Sequence, residues 1–386
     1  MAAALLLARD GHRVSLFERF DAPRPLGSGL MIQPTGLAVL DTLGLGDEIR
    51  RAGARVDRLF GRAEANGPVV LQVRYSALGR QGAHGLGVHR AALFDVLHRA
   101  VLASGLPVHT GREVSGSGEK TGRRRLRFAD GGQDGPFDLV VDALGFSSPL
   151  APDCGRVLSY GALWSSLDWV EDAGFDAAAL EQRYRRASVM AGVLPIGLSP
   201  GRERAQTAFF WSLRTDRLPA WRAAGLEAWK RDVLGLWPAT APLLDQIIDA
   251  EQLTFARYAH RTLEEPAERA LAHIGDSWHS ASPQLGQGAN MALLDAYALA
   301  LALRSERDVG WALARYHALR RRHVALYQLM SALFTPVYQS DSRALPFVRD
   351  RIVGPLAKLW PATWIQAAMV SGLIGSPLGP LGLKQP

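Results

Sequence analysis

The residues best suited to chemistry lie between His273 and Ala300, in the stretch HIGDSWHSASPQLGQGANMALLDAYALA. A short apolar run ends at Gly275-Asp276, and a loop of small residues carrying Pro283, Gly286 and Gly288 follows. Apolar residues then recur at helical spacing, at Met291, Leu294, Ala298 and Leu301. The order is strand end, glycine loop, helix start. A carboxylate at a strand end, here Asp276, accepts hydrogen bonds from the hydroxyl groups of a ligand. The backbone N–H groups around Gly286, Gln287, Gly288, Ala289 and Asn290 sit where a helix begins, and a helix start favours developing negative charge. A polyol joined to a ring that becomes anionic suits both halves.

These residues resemble the second flavin motif of the FAD-dependent aromatic hydroxylases, the single-component monooxygenases related to p-hydroxybenzoate hydroxylase. In that family the motif runs G-D-A-A-H, then P-x-x-G-Q-G-x-N, then a helix carrying D-A. Here it reads Gly275-Asp276-Ser277-Trp278-His279, then Pro283 through Gly286-Gln287-Gly288-Ala289-Asn290, then Asp295-Ala296. The resemblance implies FAD as cofactor and NAD(P)H as reductant. It further implies that a flavin C4a-hydroperoxide delivers oxygen from O2 to an aromatic or polyketide-like small molecule. The protein's part is then to exclude water, orient the ring and surround the flavin N1–C2=O edge with positive potential. Two other readings share the residues: a reductase or dehydrogenase of an unsaturated lipid or isoprenoid, and a truncated remnant without catalysis. His279 invites a role as base, though packing explains a histidine there equally well.

The elements that must position this stretch begin at the first residues. Residues 1 to 9 are helical by composition, Asp10-Gly11-His12 stops them, and Val14 to Phe17 reads as a short strand ending at Glu18-Arg19. In a dinucleotide-binding unit the acidic residue ending this strand holds the adenosine ribose hydroxyls, and Glu18, with Arg19 beside it, has that place. No G-x-G-x-x-G occurs in the chain, whereas the family carries one ahead of this helix. The expectation is a start site assigned too late, or a shortened gene product that holds flavin poorly. Gly27 to Pro34 resembles the family's small-residue segment running past the flavin. Arg90 opens a helix, where its charge is oddly signed for the dipole, and the resemblance directs it to the FAD pyrophosphate. Asp138 to Gly145 matches the strand that ends in the family's G-A-D-G, but Asp142 replaces the glycine and Leu144 the aspartate. That aspartate helps fix the pyrophosphate and is linked to NAD(P)H use, so NADH, NADPH and a separate reductase all stay open.

The fold expected is α/β with α+β character: a Rossmann-like FAD-binding domain interleaved with an antiparallel-sheet substrate lobe, and C-terminal helices. Residues 1–153 and 263–304 form the cofactor part, 154–262 the lobe, and 305–386 the C-terminal region. In the lobe, Tyr160 to Val170, Ser188 to Ile196 and Ala205 to Arg214 read as strands, and Leu226 to Asp249 as a helix broken at Pro238 and Pro242. Trp164, Trp169, Phe209, Phe210 and Trp211 could line a pocket, with core packing the commoner role for each. Val309 to Leu333 reads as a long helix. The apolar tail from Ile352 to Leu383 is interrupted by glycine and proline, which points to packed helices rather than membrane attachment.

The chain has 386 residues, of which 48% are hydrophobic and 21% charged, an ordinary globular balance. Net charge is +7, carried almost wholly by arginine, since only Lys120, Lys230, Lys358 and Lys384 are lysine. The run Arg123-Arg124-Arg125 lacks interleaved aromatics, so a solvated loop is expected there and no nucleic-acid partner. The lone Cys154 excludes an internal disulfide and suits the cytoplasm. The first residues lack the positive start and small-residue cleavage site of a signal peptide. Oligomeric state is not encoded in any pattern.

Overall fold

The computed structural model describes residues 1–22 and 27–385. Its first helix, Ala2–Arg9, is an alanine and leucine run that buries Leu6 and Leu7, and Gly11 at φ +89° turns the chain away from it. The following strand is shorter than its sequence suggests: Leu16–Phe17 alone is extended and paired, in parallel with Val108–His109. Val140–Asp142 pairs in parallel with Leu271–His273, and Ala267–Glu268 edges that second sheet. Helices Pro34–Thr42, Arg90–Ala103, Gly288–Ser305 and Val309–Tyr338 share one apolar core with the first helix, through Leu6, Leu37, Val96, Leu294 and Val324. Parallel pairing with helices as crossovers is the Rossmann-like part of the expected fold.

The largest sheet has eight strands: His279–Ser280, Thr254–Thr262, Gly155–Asp168, Gln206–Arg214, Val189–Gly197, Ala179–Arg185, Arg58–Ala63 and Val69–Arg74. Neighbours are antiparallel except Ala179–Arg185 and Arg58–Ala63, which run parallel. The lobe therefore draws strands from outside 154–262: two from residues 58–74 and one from the loop after Asp276. It is threaded through the cofactor part rather than appended to it. The helix expected over 226–249 breaks where the prolines require, into Leu226–Leu236, a 3-10 turn at Pro238–Thr240, and Ala241–Leu244. Alternation sorts the aromatics. Phe209 and Trp211 pack on Trp229 of that helix and are core, and the half-buried Trp169 packs against the same cluster. Phe210 faces the other side and meets Trp164 at 4.7 Å.

One buried polar network ties the helices to the site. Asp295, on the helix Gly288–Ser305, accepts from Gly275 N–H at 2.9 Å, His279 Nε2 at 2.6 Å and Arg320 Nε at 2.8 Å. Burial alone would raise its carboxyl; the charges and hydrogen bonds of His279 and Arg320 outweigh that and bring it down to about 2. Arg320 also donates to His323 Nδ1 at 3.0 Å, which fixes the neutral ring's proton on Nε2, and Nε2 donates to the Gly372 carbonyl at 3.1 Å. Burial, and then the Arg320 charge, push His323 down to about 3.

His323 is thus neutral in the fold and regains an ordinary value near 6.5 once unfolded, so the unfolded chain takes up the proton first as pH falls. Stability is complete above about pH 6.5 and declines toward pH 3, by up to ~1.4 kcal/mol per pH unit for this one proton. Urea midpoints measured between neutral and mildly acidic pH should show the decline, and His323→Gln should flatten it. An unchanged slope in the variant would remove His323 as its source.

Candidate active site

The strand Leu271–His273 delivers the chain to a 3-10 turn at Gly275–Ser277. Gly275 has φ +61°, and a Cβ there would lie 3.0 Å from the Ala292 Cβ, so glycine serves both the turn and the close approach of the next helix. The turn leaves the Asp276 side chain accessible to solvent although protein crowds around it. Desolvation accordingly raises its carboxyl above the ordinary range, opposed by the positive charges of His279 and Arg90. Beyond it, Pro283–Leu285 makes a second 3-10 turn and Gly286 at φ +61° reverses the chain. Gln287 then caps the helix that starts at Gly288.

The first bond of that helix runs from Met291 N–H to the Gln287 carbonyl, so the N–H groups of Gly288, Ala289 and Asn290 precede the helical ladder. A Cβ built on Gly288 would meet nothing within 4 Å, so the helix start opens on free space. The side chains of the loop are spent on shaping it. Asn290 Oδ1 accepts from Gln33 N–H at 2.8 Å, and its Nδ2 donates to the Met31 and Gly286 carbonyls at 3.1 and 3.0 Å. Gln287 donates to the Val370 carbonyl, while its Oε1 has no partner among the described residues. What Gln287 and Asn290 offer a ligand is main chain.

The other expected residues come from three separate elements. Glu18 follows the strand Leu16–Phe17, and one of its carboxyl oxygens accepts from Phe20 N–H at 3.0 Å. Arg19 is exposed, with its guanidinium 4.8 Å from the centre of the Phe20 ring. Arg90 donates its N–H to the Ser28 carbonyl at 2.8 Å, and its side chain runs beside Gly27, where a Cβ would come within 3.3 Å of it. Its positive charge acts on both the Asp276 carboxyl and the Tyr258 phenol, favouring their ionised forms against burial.

Residues outside the motifs complete the cleft wall. His89 caps the helix Arg90–Ala103 by accepting Ala91 N–H on Nδ1 at 3.0 Å. In the neutral ring the proton is then on Nε2, which donates to Ser166 Oγ at 3.1 Å, and Ser166 Oγ lies 2.7 Å from Ser28 Oγ. Desolvation lowers the His89 pKa and so favours that neutral form. Trp164 Nε1 donates to the Tyr258 hydroxyl at 3.0 Å. Burial pushes the Tyr258 phenol up, against smaller opposing effects of Trp164 and Arg90, so it stays protonated and keeps its own O–H to donate. Alternation in Gly155–Asp168 puts Trp164 and Ser166 on one face. The register shift between Val157 and Gly161 hides from the sequence that Tyr258 lies beside them.

The departures from the motif also find partners. Asp142 accepts from His273 Nδ1 at 2.7 Å, Ser148 Oγ at 2.7 Å and Leu144 N–H at 3.0 Å, all inside the protein. It therefore does not stand in for the carboxylate that Leu144 replaces, and Leu144 itself is exposed. His279 is buried with its Nε2 on Asp295, where it is part of the network that holds the turn.

A glycine-opened helix start, a strand-end carboxylate and an arginine around one cleft fit a flavin dinucleotide, and the FAD binding domain model matches residues 1–328. The chain belongs to that family. A putative 2-heptyl-3-hydroxy-4(1H)-quinolone synthase from Rhodococcus erythropolis is 28% identical over 347 residues, which cover 86% of this chain and 84% of the relative. An FAD-dependent urate hydroxylase from Klebsiella pneumoniae is 27% identical over 339 residues, 83% of each chain. A crystal structure of a Klebsiella pneumoniae protein complexed with FAD and uric acid shares the fold, with a TM-score of 0.81, 21% identity, and coverage of 98% of this chain and 95% of that one. The chain is an FAD-dependent oxidoreductase of the monooxygenase class, and its cofactor is FAD.

Because the space beside Gly288 is open, Gly288→Ala should leave the thermal midpoint unchanged and weaken FAD binding about ten-fold or more by blocking the N–H row. Asn290→Ala should instead cost roughly 2–4 kcal/mol of stability by unpairing buried main-chain groups. Flavin fluorescence titration and thermal melts separate the two, and FAD affinity unaltered by Gly288→Ala would exclude the helix start as the flavin seat.

Proposed function

We propose that the enzyme hydroxylates a small, electron-rich heteroaromatic molecule held between the flavin and the wall formed by Trp164 and Tyr258. In this reading Glu18 and Arg19 hold the adenosine half of FAD, Arg90 the pyrophosphate and Asp276 the ribityl hydroxyls. The loop from Pro283 through Gly286, Gln287, Gly288 and Ala289 to Asn290 presents its N–H groups to the N1–C2=O edge of the ring. Residues 1–153 and 263–304 then act as the cofactor part, 154–262 as the substrate lobe, and 305–386 as the helices that brace both. FAD, once reduced by NADH or NADPH, supplies the activated oxygen. The protein's residues bind, orient and exclude water.

The observation that carries the substrate side is the cluster of uncharged donors His89, Ser166, Ser28 and Tyr258 beside Trp164. A protonated Tyr258 can donate to a ring carbonyl or phenolic oxygen of the substrate, and Trp164 lies beside it as an aromatic surface. His89, neutral and linked through Ser166 to Ser28, is suited to passing a proton rather than holding one. The relatives named for a quinolone and for urate concern fused nitrogen heterocycles with ring carbonyls, the kind of molecule such donors would orient. No helix among the described residues is long and apolar enough to cross a membrane. We assign the enzyme to the cytoplasm, where NADH and NADPH are available.

Under 18O2 the enzyme should place one labelled oxygen in the product of a hydroxylated or oxo nitrogen heterocycle while consuming NAD(P)H. Tyr258→Phe should lower kcat/KM about ten-fold or more and leave FAD affinity intact. NAD(P)H-dependent turnover with no label in the product would favour the reductase reading instead.

A further inference from the structure

The C-terminal region reverses the usual arrangement of polar outside and apolar inside. Ala344–Val348, a π-helical turn at Arg349–Val353 and Gly354–Leu356 form a nearly continuous helical run laid against the outer strand Val69–Arg74. Its inner side is anchored by a charge. Arg349 is 2% exposed and donates to Asp350, to the Val337 carbonyl at 3.2 Å and to the Arg186 carbonyl at 3.1 Å, with its guanidinium over the Tyr184 and Tyr338 rings. Its outer side is apolar. Phe347 is 62% exposed, Leu359 60% and Trp360 83%, with Ile352, Leu356 and Trp364 also exposed. The tail is packed as expected from Ala367 to Leu381, whereas the segment before it keeps one apolar side exposed. Contiguous exposed apolar faces mark sites where folded proteins meet partners or membranes.

Charge selects the occupant. The exposed charges on this segment are Arg343, Arg351 and Lys358, all positive, while its one acid, Asp350, is turned onto Arg349 at 2.7 Å. A two-fold interface with a second copy sets the same patch against itself and would bring these positive groups together. Tryptophan, leucine and isoleucine ringed by arginine and lysine match an anionic lipid interface, where apolar groups enter the acyl boundary and basic groups meet headgroups.

We propose that this face, from Arg343 to Ile365, docks the enzyme on an anionic lipid surface as a peripheral protein. The docked segment continues directly into the flavin site. Helix Ala362–Val370 presents Trp364 and Ile365 outward, and its last residues accept from Tyr327 at the Met369 carbonyl and from Gln287 at the Val370 carbonyl. An apolar substrate dissolved in the bilayer would thus meet the enzyme at the helix that braces the flavin loop.

The test is co-sedimentation of the full chain with vesicles of phosphatidylcholine alone and of phosphatidylcholine mixed with phosphatidylglycerol, alongside sedimentation velocity without vesicles. The protein should pellet with the anionic vesicles and remain in solution with the neutral ones. Leu359→Ser with Trp360→Ser should reduce binding about ten-fold or more, and Arg351→Gln with Lys358→Gln should do likewise, with unchanged circular dichroism in both. Failure to pellet with anionic vesicles would overturn the proposal, as would variants that bind like the parent. A dimer that becomes monomeric in Leu359→Ser/Trp360→Ser and ignores vesicles would assign the face to a second copy and overturn it too. None of these readouts depends on flavin or turnover.

Discussion

The site rests on one buried charge. Asp295 carries a full negative charge in the interior, and its cost is offset only because Gly275 N–H, His279 and Arg320 all point at it. A buried ion pair contributes little net stability compared with well-packed apolar groups, but it tolerates few alternative geometries. Here that rigidity fixes the turn that aims Asp276, because Gly275 is bound to Asp295 and Asp276 is the next residue. The same carboxylate joins the flavin-loop helix to the long helix through Arg320. From there His323 reaches Gly372 in the tail. Four stretches of chain are held in register by one residue.

Around that charge the proposed cofactor seat is made mostly of main chain. Glycine at positions 275, 286 and 288 lets the chain turn in the left-handed region or lie bare at a helix start. The larger polar residues of the loop are turned inward to hold it. Asn290 fastens Met31 and Gln33 to the loop with two hydrogen bonds and closes the loop with a third to Gly286. In the proposed function pyrophosphate and flavin edges meet N–H rows and charge at a distance, and a seat of that kind needs exact backbone placement more than particular side chains. That is why a short chain of small residues can carry so strong a signature.

The signature explains what the sequence could and could not reveal. Local determinants were legible: the strand end at Gly275-Asp276, the glycine loop, the helix it opens and the proline breaks at 238 and 242. Asp295 could be located from the motif, but its partners Arg320 and His323 are ordinary members of an arginine-rich helix until tertiary packing chooses them. Asp142 looked like a lost glycine and proved to be half of a pair with His273, across a strand register that no local pattern states. The pocket aromatics were ambiguous for the same reason, since Phe209 and Phe210 are adjacent and face opposite sides. The tail's packed helices were legible in its glycine and proline breaks, but composition reports how much apolar surface a segment has and not which side of it the rest of the protein covers.

Met31 and Gln33 near one end of the chain, Gly286 to Asn290 in the middle and Val370 beyond them are bonded directly to one another. Synthesis on the ribosome proceeds from the first of these to the last. While residue 370 is still inside the exit tunnel, the loop lacks its Gln287 anchor and the Tyr327 hydroxyl lacks its acceptor. The geometry of the helix start at Gly288 is therefore set by residues from widely separated parts of the chain and is complete only where those parts have folded together.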